Sequence, residues 1–468
     1  MSELLQDSAP DTPSDRLPLA LARRTMRLSM YEGGFAMFFI NWTSGSVLTG
    51  YALHLGASDT ALGLIASVPL LAQAISPVAA WLAARRGSRR ATAVLCAVVG
   101  RGLWLLTPLL AVAPLPGEGR AAALLAVVAV SSLFIAANGA LWTAWMGDVV
   151  PWKERGRYFG LRTGVLGVVG TLANLLAGFW LDRVAAPLNF QVVLTVAAVM
   201  GLLAAVLLTR HDEPGLSGTP LRMRRTISLP LGDPNFRRLL AFAVYWQFAV
   251  LIAAPFVLPY FLTHLHMSYV QIAIWGTISA VAAFFLAPTW GRLSDRVGNK
   301  PVLAISTFLA GTLLPVSWMV ASPGMLWPIW ISAVVDALVW SAINPGIFNL
   351  SLASTPVSNR AAFIAVFSAA TGLSGFVGGL LSGPLLELYR AVTPPNGAWT
   401  PYHWLFITSG VFRMLAWALL RRVEENGAWR TRALLSETRQ RIRPGRQRAL
   451  YPWKVRPRPP KRHDHREP

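Results

Sequence analysis

The stretch GRLSDRVGNKP, Gly291 to Pro301, separates two long apolar runs with glycines, one aspartate and alternating basic residues. Such a turn is what a chain needs where it leaves one face of a membrane and re-enters it. The remainder agrees. Of 468 residues, 54% are hydrophobic and 13% charged, and the mean hydropathy is +0.48, too apolar for a soluble domain. A spanning helix needs about 20 mostly apolar residues. Twelve such runs occur, at 31–53, 61–84, 91–113, 122–147, 159–181, 189–209, 238–262, 269–290, 301–321, 326–348, 361–386 and 402–420. They are continuous and do not alternate, which predicts an all-α polytopic membrane protein rather than a barrel.

Charge sets the expected orientation. Basic residues crowd every second connection: RRGSRR (85–90), KERGR (153–157), the 210–238 segment and GRLSDRVGNK. The intervening connections hold only Arg120, Arg183 and Arg390. The positive-inside rule then places the rich loops and both termini in the cytoplasm. Residues 1–29 read as a cytoplasmic tail rather than a cleaved signal, with Glu32 at the cytoplasmic mouth of the first span. Residues 30–209 and 238–420 form two six-helix bundles, joined by a linker at 210–237.

Several chemistries are excluded. Cys96 is the single cysteine, so no internal disulfide or cysteine-rich metal site forms. The seven histidines make no ligand cluster inside a span, and no GxxxxGK[ST] run is present to drive an ATP pump. No Ser/Lys, paired-Asp or His-cluster arrangement suggests an intramembrane enzyme, and no cofactor is implied. The net charge of +21 is largely topological: 421–468 holds 15 Arg/Lys in a Pro-rich sequence expected to be disordered. Anionic lipid at the cytoplasmic face is its expected partner, in preference to nucleic acid.

The halves repeat. AWLAARRGSRRA (80–91) aligns with GRLSDRVGNKPV (291–302), placing Gly87 on Gly298 and Arg89 on Lys300. PWKERGRYFGLRTGVLG (151–167) aligns with PVSNRAAFIAVFSAATG (356–372), placing Arg155 on Arg360. With these motifs the chain, over about residues 30–420, resembles the major facilitator superfamily. The signature loop of that family reads roughly G-x-L-a-D-r-x-G-r-k, matched by Gly291, Leu293, Asp295, Arg296, Gly298 and Lys300. The first-half copy has Ala80 and Ala84 in place of the glycine and the aspartate.

The resemblance implies two pseudo-symmetric bundles around a solute cavity, working as a transporter. It also implies a cytoplasmic latch. Asp295 would accept from backbone N–H groups where the fifth span starts, near Arg155 and Arg157. Gly160/Gly164 and Gly375/Gly379/Gly383 have small-xxx-small spacing, and the resemblance makes the fifth and eleventh helices meet across the bundle interface.

Family architecture further implies that the first, fourth, seventh and tenth helices line the cavity. Polar groups there are costly unless used or paired. The candidates are Asn41; Asn138 and Trp142, on one face with Trp145; Tyr245 and Gln247; and Asp336, Trp340 and Asn344 at i, i+4, i+8. Trp246 and Trp275 also lie deep within their spans. Asp336 is the acid nearest a span centre; it is expected to carry a proton or a cationic solute group, or else to pair with Arg413. Arg413 itself can snorkel, whereas Arg101 needs an internal partner. Asp148 is expected to pair with the KERGR loop.

The sequence therefore predicts a secondary transporter working by alternating access, in the inner membrane, sufficient as a monomer. Its solute is a small organic molecule, amphipathic or uncharged more than strongly anionic, with H+ as a candidate coupling ion. A non-transporting scaffold or sensor that keeps the fold is the alternative.

Overall fold

The computed structural model describes residues 17–151, 154–214, 223–353, 355, 360–394, 397 and 399–425. Calls on the cytoplasmic N-terminus before 17, on part of the linker and on most of the basic tail lie outside them. The helices are α1 (Leu19–Trp42, continued as Gly45–His54), α2 (Asp59–Ala72 and Ser76–Arg86), α3 (Arg89–Leu110), α4 (Gly117–Val149), α5 (Arg155–Arg183) and α6 (Leu188–Leu208) in the first half. The second half contains α7 (Pro234–His264), α8 (Tyr269–Val297), α9 (Asn299–Met319), α10 (Trp327–Ala353), α11 (Arg360–Val392) and α12 (Pro401–Leu420). Among the described residues, eleven helices are long and apolar enough to cross a membrane. The first span is long enough but falls short in apolarity, since Leu19–Trp42 carries Arg23, Arg24, Arg27 and Glu32; it breaks at 43–44, ahead of Gly45, whose φ of +57° suits glycine.

One boundary is corrected. Helix begins at Leu19, inside the stretch expected to be tail, because LALARRTMRLS is rich in strong helix formers. Ala22, Met26 and Ser29 are buried there, and Tyr158 of α5 donates to the Met26 carbonyl at 3.1 Å. Glu32 consequently sits thirteen residues into a helix that starts at Leu19, rather than at a mouth.

The repeat alignment survives in backbone detail. Gly87 and Gly298, the paired glycines, both adopt positive φ, +66° and +94°, ahead of α3 and α9. An acid that follows the last helix of each half then caps the helix after that glycine. Glu213 accepts from the backbone N–H groups of Arg89 and Arg90. Glu425 accepts from those of Asn299 and Lys300, at 2.9 and 2.7 Å. A carboxylate on two free N–H groups at a helix start gains from both hydrogen bonds and dipole.

Each half is also bolted by a buried arginine. Arg101 of α3 donates to the Gly201 carbonyl of α6 at 3.0 Å. In the second half Arg413 of α12 donates to the Ala310 carbonyl of α9 at 3.1 Å. The Cβ atoms of these arginines lie 3.2 Å from where a Cβ on Gly201 or Gly311 would stand, so glycine is what lets each seam close. Arg413 is 2% exposed, which replaces the expected snorkelling with an internal role: its own seam has no water to reach.

The halves meet along α2–α11 and α5–α8. Gly379 of α11 faces α2 so closely that a Cβ would stand 2.3 Å from the Ser67 Cβ; on Gly383 it would stand 2.4 Å from the Thr60 Cα. Gly375 likewise packs on Leu70. The fifth helix does not meet the eleventh as expected. Gly160 and Gly164 face open space, and only Gly178, at the far end of α5, touches the other half, at Tyr269. Small residues permit contact without dictating it.

The two ends of the molecule differ. At the end opposite the basic loops, one continuous core includes Tyr51, Leu62, Phe256, Tyr260 and Leu386 from both halves. Toward the basic loops the buried residues separate into a first-half cluster around Ala83 and Trp145 and a second-half cluster around Leu239 and Leu303. The bundle is closed at one end and parted at the other.

Candidate functional site: a polar cavity between the halves

A cavity of about 400 Å³ lies between α1, α5 and α8, with Leu258 of α7 at its edge. Its polar wall includes Asn41, Ser44, Thr171, Asn174, Trp275 and Thr277. Asn174 donates to the Asn41 carboxamide oxygen at 3.0 Å, while Asn41 donates to the Met37 carbonyl at 2.8 Å. Gly170 makes the pairing possible, since a Cβ there would stand 3.0 Å from the Asn41 amide nitrogen. Trp275 is fixed by a bond from its indole N–H to Ser332 at 2.9 Å, which leaves the ring against the cavity. Two carboxamides, hydroxyls and an aromatic wall suit a polar organic molecule.

The floor opposite the basic loops is locked by charge. Asp182, near the end of α5, accepts from the backbone N–H groups of Tyr269 and Val270, both at 2.8 Å, where α8 begins. Arg390 of α11 pairs with Asp59 of α2 at 2.8 Å, and Thr60 donates to Glu387 at 3.1 Å. Both inter-half seams therefore carry a carboxylate contact at the closed end.

Toward the open end, Glu32 stands between two guanidiniums, Arg101 and Arg162, each at 3.5 Å. Their side chains are 5%, 8% and 17% exposed in that order. Gly33 admits the Arg162 tip, which would lie 2.7 Å from a Cβ there. Arg162 also lies 4.3 Å over the Trp142 ring. Arg101 thus has the internal partner that a buried arginine requires.

The other expected site residues disperse. Asn138 is buried and donates to the Ala93 carbonyl of α3 at 2.9 Å, a helix-to-helix tie away from the cavity. Trp145, seven residues on, donates to the Asp212 carbonyl. Tyr245 stacks with Phe412, and Gln247 lies against Gly375 of α11. Asp336 is half-buried and accepts from Ser279 of α8 at 2.9 Å. It forms no ion pair with Arg413 among the described residues. Trp340 packs by Trp246, and Asn344 is exposed. Asp148 pairs with Arg89 at the start of α3.

The contact expected between Asp295 and the start of α5 is not formed among the described residues. Asp295 is exposed and has no hydrogen bond or ion pair among the described residues; Gly291 faces open space. Arg155 bonds the Gly147 and Val150 carbonyls of its own half, and Arg157 and Arg296 are exposed. Lys300 donates to the Arg421 and Val423 carbonyls at 3.0 and 2.6 Å, beside the Gly298 turn.

Comparison with known proteins follows the same architecture. The Major Facilitator Superfamily model matches twice, over residues 33–258 and over residues 239–460. An MFS efflux pump of Emericella nidulans, atnC, is 30% identical over 132 residues; the match covers 27% of this chain and 24% of that protein, about a quarter of the relative's length. Among solved structures, the nucleoside transporter NupG superposes with a TM-score of 0.64 at 14% identity, covering 87% of this chain and 100% of that one. A bacterial homologue of the human lysosomal transporter Spinster, inward-facing and occupied, gives 0.66 at 17% identity, covering 87% and 98%. A D-xylose–proton symporter gives 0.64 at 15% identity, covering 88% and 99%. At such identities the structures establish the fold, and the tandem family match establishes descent. The chain belongs to the Major Facilitator Superfamily, whose members are multi-pass membrane transporters and not enzymes.

Proposed function

We propose that this transporter is secondary active, carries a small polar organic solute, and works by alternating access about the cavity between α1, α5 and α8. The observation that carries this reading is the asymmetry of the two ends, sealed by Asp182 and Asp59–Arg390 and parted beside Asn41 and Asn174. Rocking the halves about the sealed end, followed by fastening of Asp295 at the other, would expose the cavity to the opposite side. Counterflow of a radiolabelled solute in proteoliposomes tests it, with Asn174→Leu expected to reduce exchange at least tenfold while leaving the fold intact. Unchanged exchange by that variant would remove this cavity from the path.

The basic loops support an orientation with the parted end in the cytoplasm, by the positive-inside rule. Cysteine at Ser58 is expected to react with an impermeant thiol reagent in intact cells, and cysteine at Ser88 is not. The reverse pattern would overturn the orientation.

Asp336 supports proton coupling, because a half-buried carboxyl held by the neutral donors Ser279 and Trp340 can change protonation without breaking an ion pair. Asp336→Asn is expected to retain counterflow and lose accumulation driven by a pH gradient. Full gradient-driven accumulation by a well-folded variant would exclude it.

A further inference from the structure

The Glu32 cluster contains two guanidiniums and one carboxylate, an odd positive charge within a membrane-spanning bundle. Buried charges are ordinarily matched, since an unpaired one is expensive in a low-dielectric setting. Among the described residues no second carboxylate pairs with Arg101 or Arg162. Tyr158 stands close by, its hydroxyl committed to the Met26 carbonyl. The excess charge is best assigned to Arg162. Arg101 is satisfied by Glu32 and the Gly201 carbonyl and is the more enclosed of the two. Arg162 is the more exposed and is held only at 3.5 Å, by Glu32 and by the Ser29 carbonyl; its Nε–H is buried with no acceptor, and the indole N–H of Trp142, whose ring lies under its guanidinium, also lacks one.

Position gives that charge a use. Arg162 precedes Leu166 by one turn of α5, and Leu166 lines the cavity. It lies on the side toward the basic loops, where the halves part, one turn beyond the cavity wall, and its side chain is 17% exposed. Gly170, which seats Asn41, is eight residues along α5, about 12 Å at 1.5 Å per residue.

We propose that Arg162, with the Trp142 indole N–H beside it, is the subsite for a single anionic group on the solute, so that the cavity takes a small polar organic acid with its carboxylate toward the open end. This deepens, and rests on, the transporter reading above, and it departs from the uncharged solute that the sequence favours. A guanidinium offers a carboxylate paired, charge-assisted donors that no neutral oxygen can replace equally.

Matched pairs test it: acetate with acetamide, benzoate with benzamide, gluconate with glucitol, titrated at constant ionic strength against the melting temperature of the purified full chain. The expected result is that the anion of at least one pair half-saturates at a concentration at least tenfold below its neutral partner. Arg162→Gln should abolish that difference, and Trp142→Phe, which keeps the ring and removes the donor, should reduce it severalfold. Equal action within every pair, no response to any pair, or an anion preference that survives in Arg162→Gln would each overturn the subsite. Counterflow by the wild-type protein is measured alongside, so the transporter reading stands or falls separately.

Discussion

Glu32→Gln should be the most damaging single substitution in the first half. Glu32 is 3% exposed and is the one carboxylate between Arg101 and Arg162. Removing its charge leaves two buried guanidiniums to repel each other without compensation. Breaking a buried pair from one side costs about 3–5 kcal/mol. At roughly 2–4 °C per kcal/mol for a unit the size of one half, the melting temperature should fall by about 6 °C or more. Arg162→Gln is the control, because it leaves Glu32 paired one-to-one with Arg101 and should cost far less. A wild-type melting temperature for Glu32→Gln would mean that the carboxylate does not hold these helices together.

The second large effect is conformational. Asp182→Asn should open the sealed end, because the carboxylate holds two backbone N–H groups at the start of α8. Hydrogen bonds to a charged group contribute about 1.5–3 kcal/mol each and do not sum fully. A loss of about 2–3 kcal/mol shifts the ratio of the two states by about 30- to 160-fold. Spin labels at Glu118 and Ser322, exposed at the sealed end of each half, should then report a longer-distance population. A distance distribution identical to wild type would show that Asp59–Arg390 and the α2–α11 glycines suffice without Asp182.

The contrast between what the chain announces and what it conceals is physical. Spans and halves are legible because transfer into lipid acts on whole segments of composition. The Gly87–Gly298 correspondence is legible because a positive φ restricts residue choice. Glu32 is misplaced when the first helix is counted from the apolar run, since helix propensity carries the helix past lipid-facing residues to Leu19. Asn174 gives almost no signal, being one amide in an apolar run whose facing is set by how α5 packs on α1. Asn138 looks equivalent to Asn41 in sequence, yet a carbonyl of α3 takes its amide. The caps by Glu213 and Glu425 were detectable: each is the second of two adjacent acids five residues beyond α6 or α12, a repeat as regular as the loops.

The two arginine bolts carry a historical consequence. In one half the donor stands on the third helix and the carbonyl on the sixth; in the other the donor is on the twelfth, counterpart of the sixth, and the carbonyl on the ninth. If the halves descend from one ancestral copy, each has solved the same seam with the roles exchanged. Their parts are therefore no longer interchangeable. A chimera joining α3 of the first half to the counterpart of α6 from the second would bring two guanidiniums into one seam, and the reciprocal chimera would supply none. Divergence has keyed each half to itself, so the duplication can be read in the backbone but cannot be reversed by recombination.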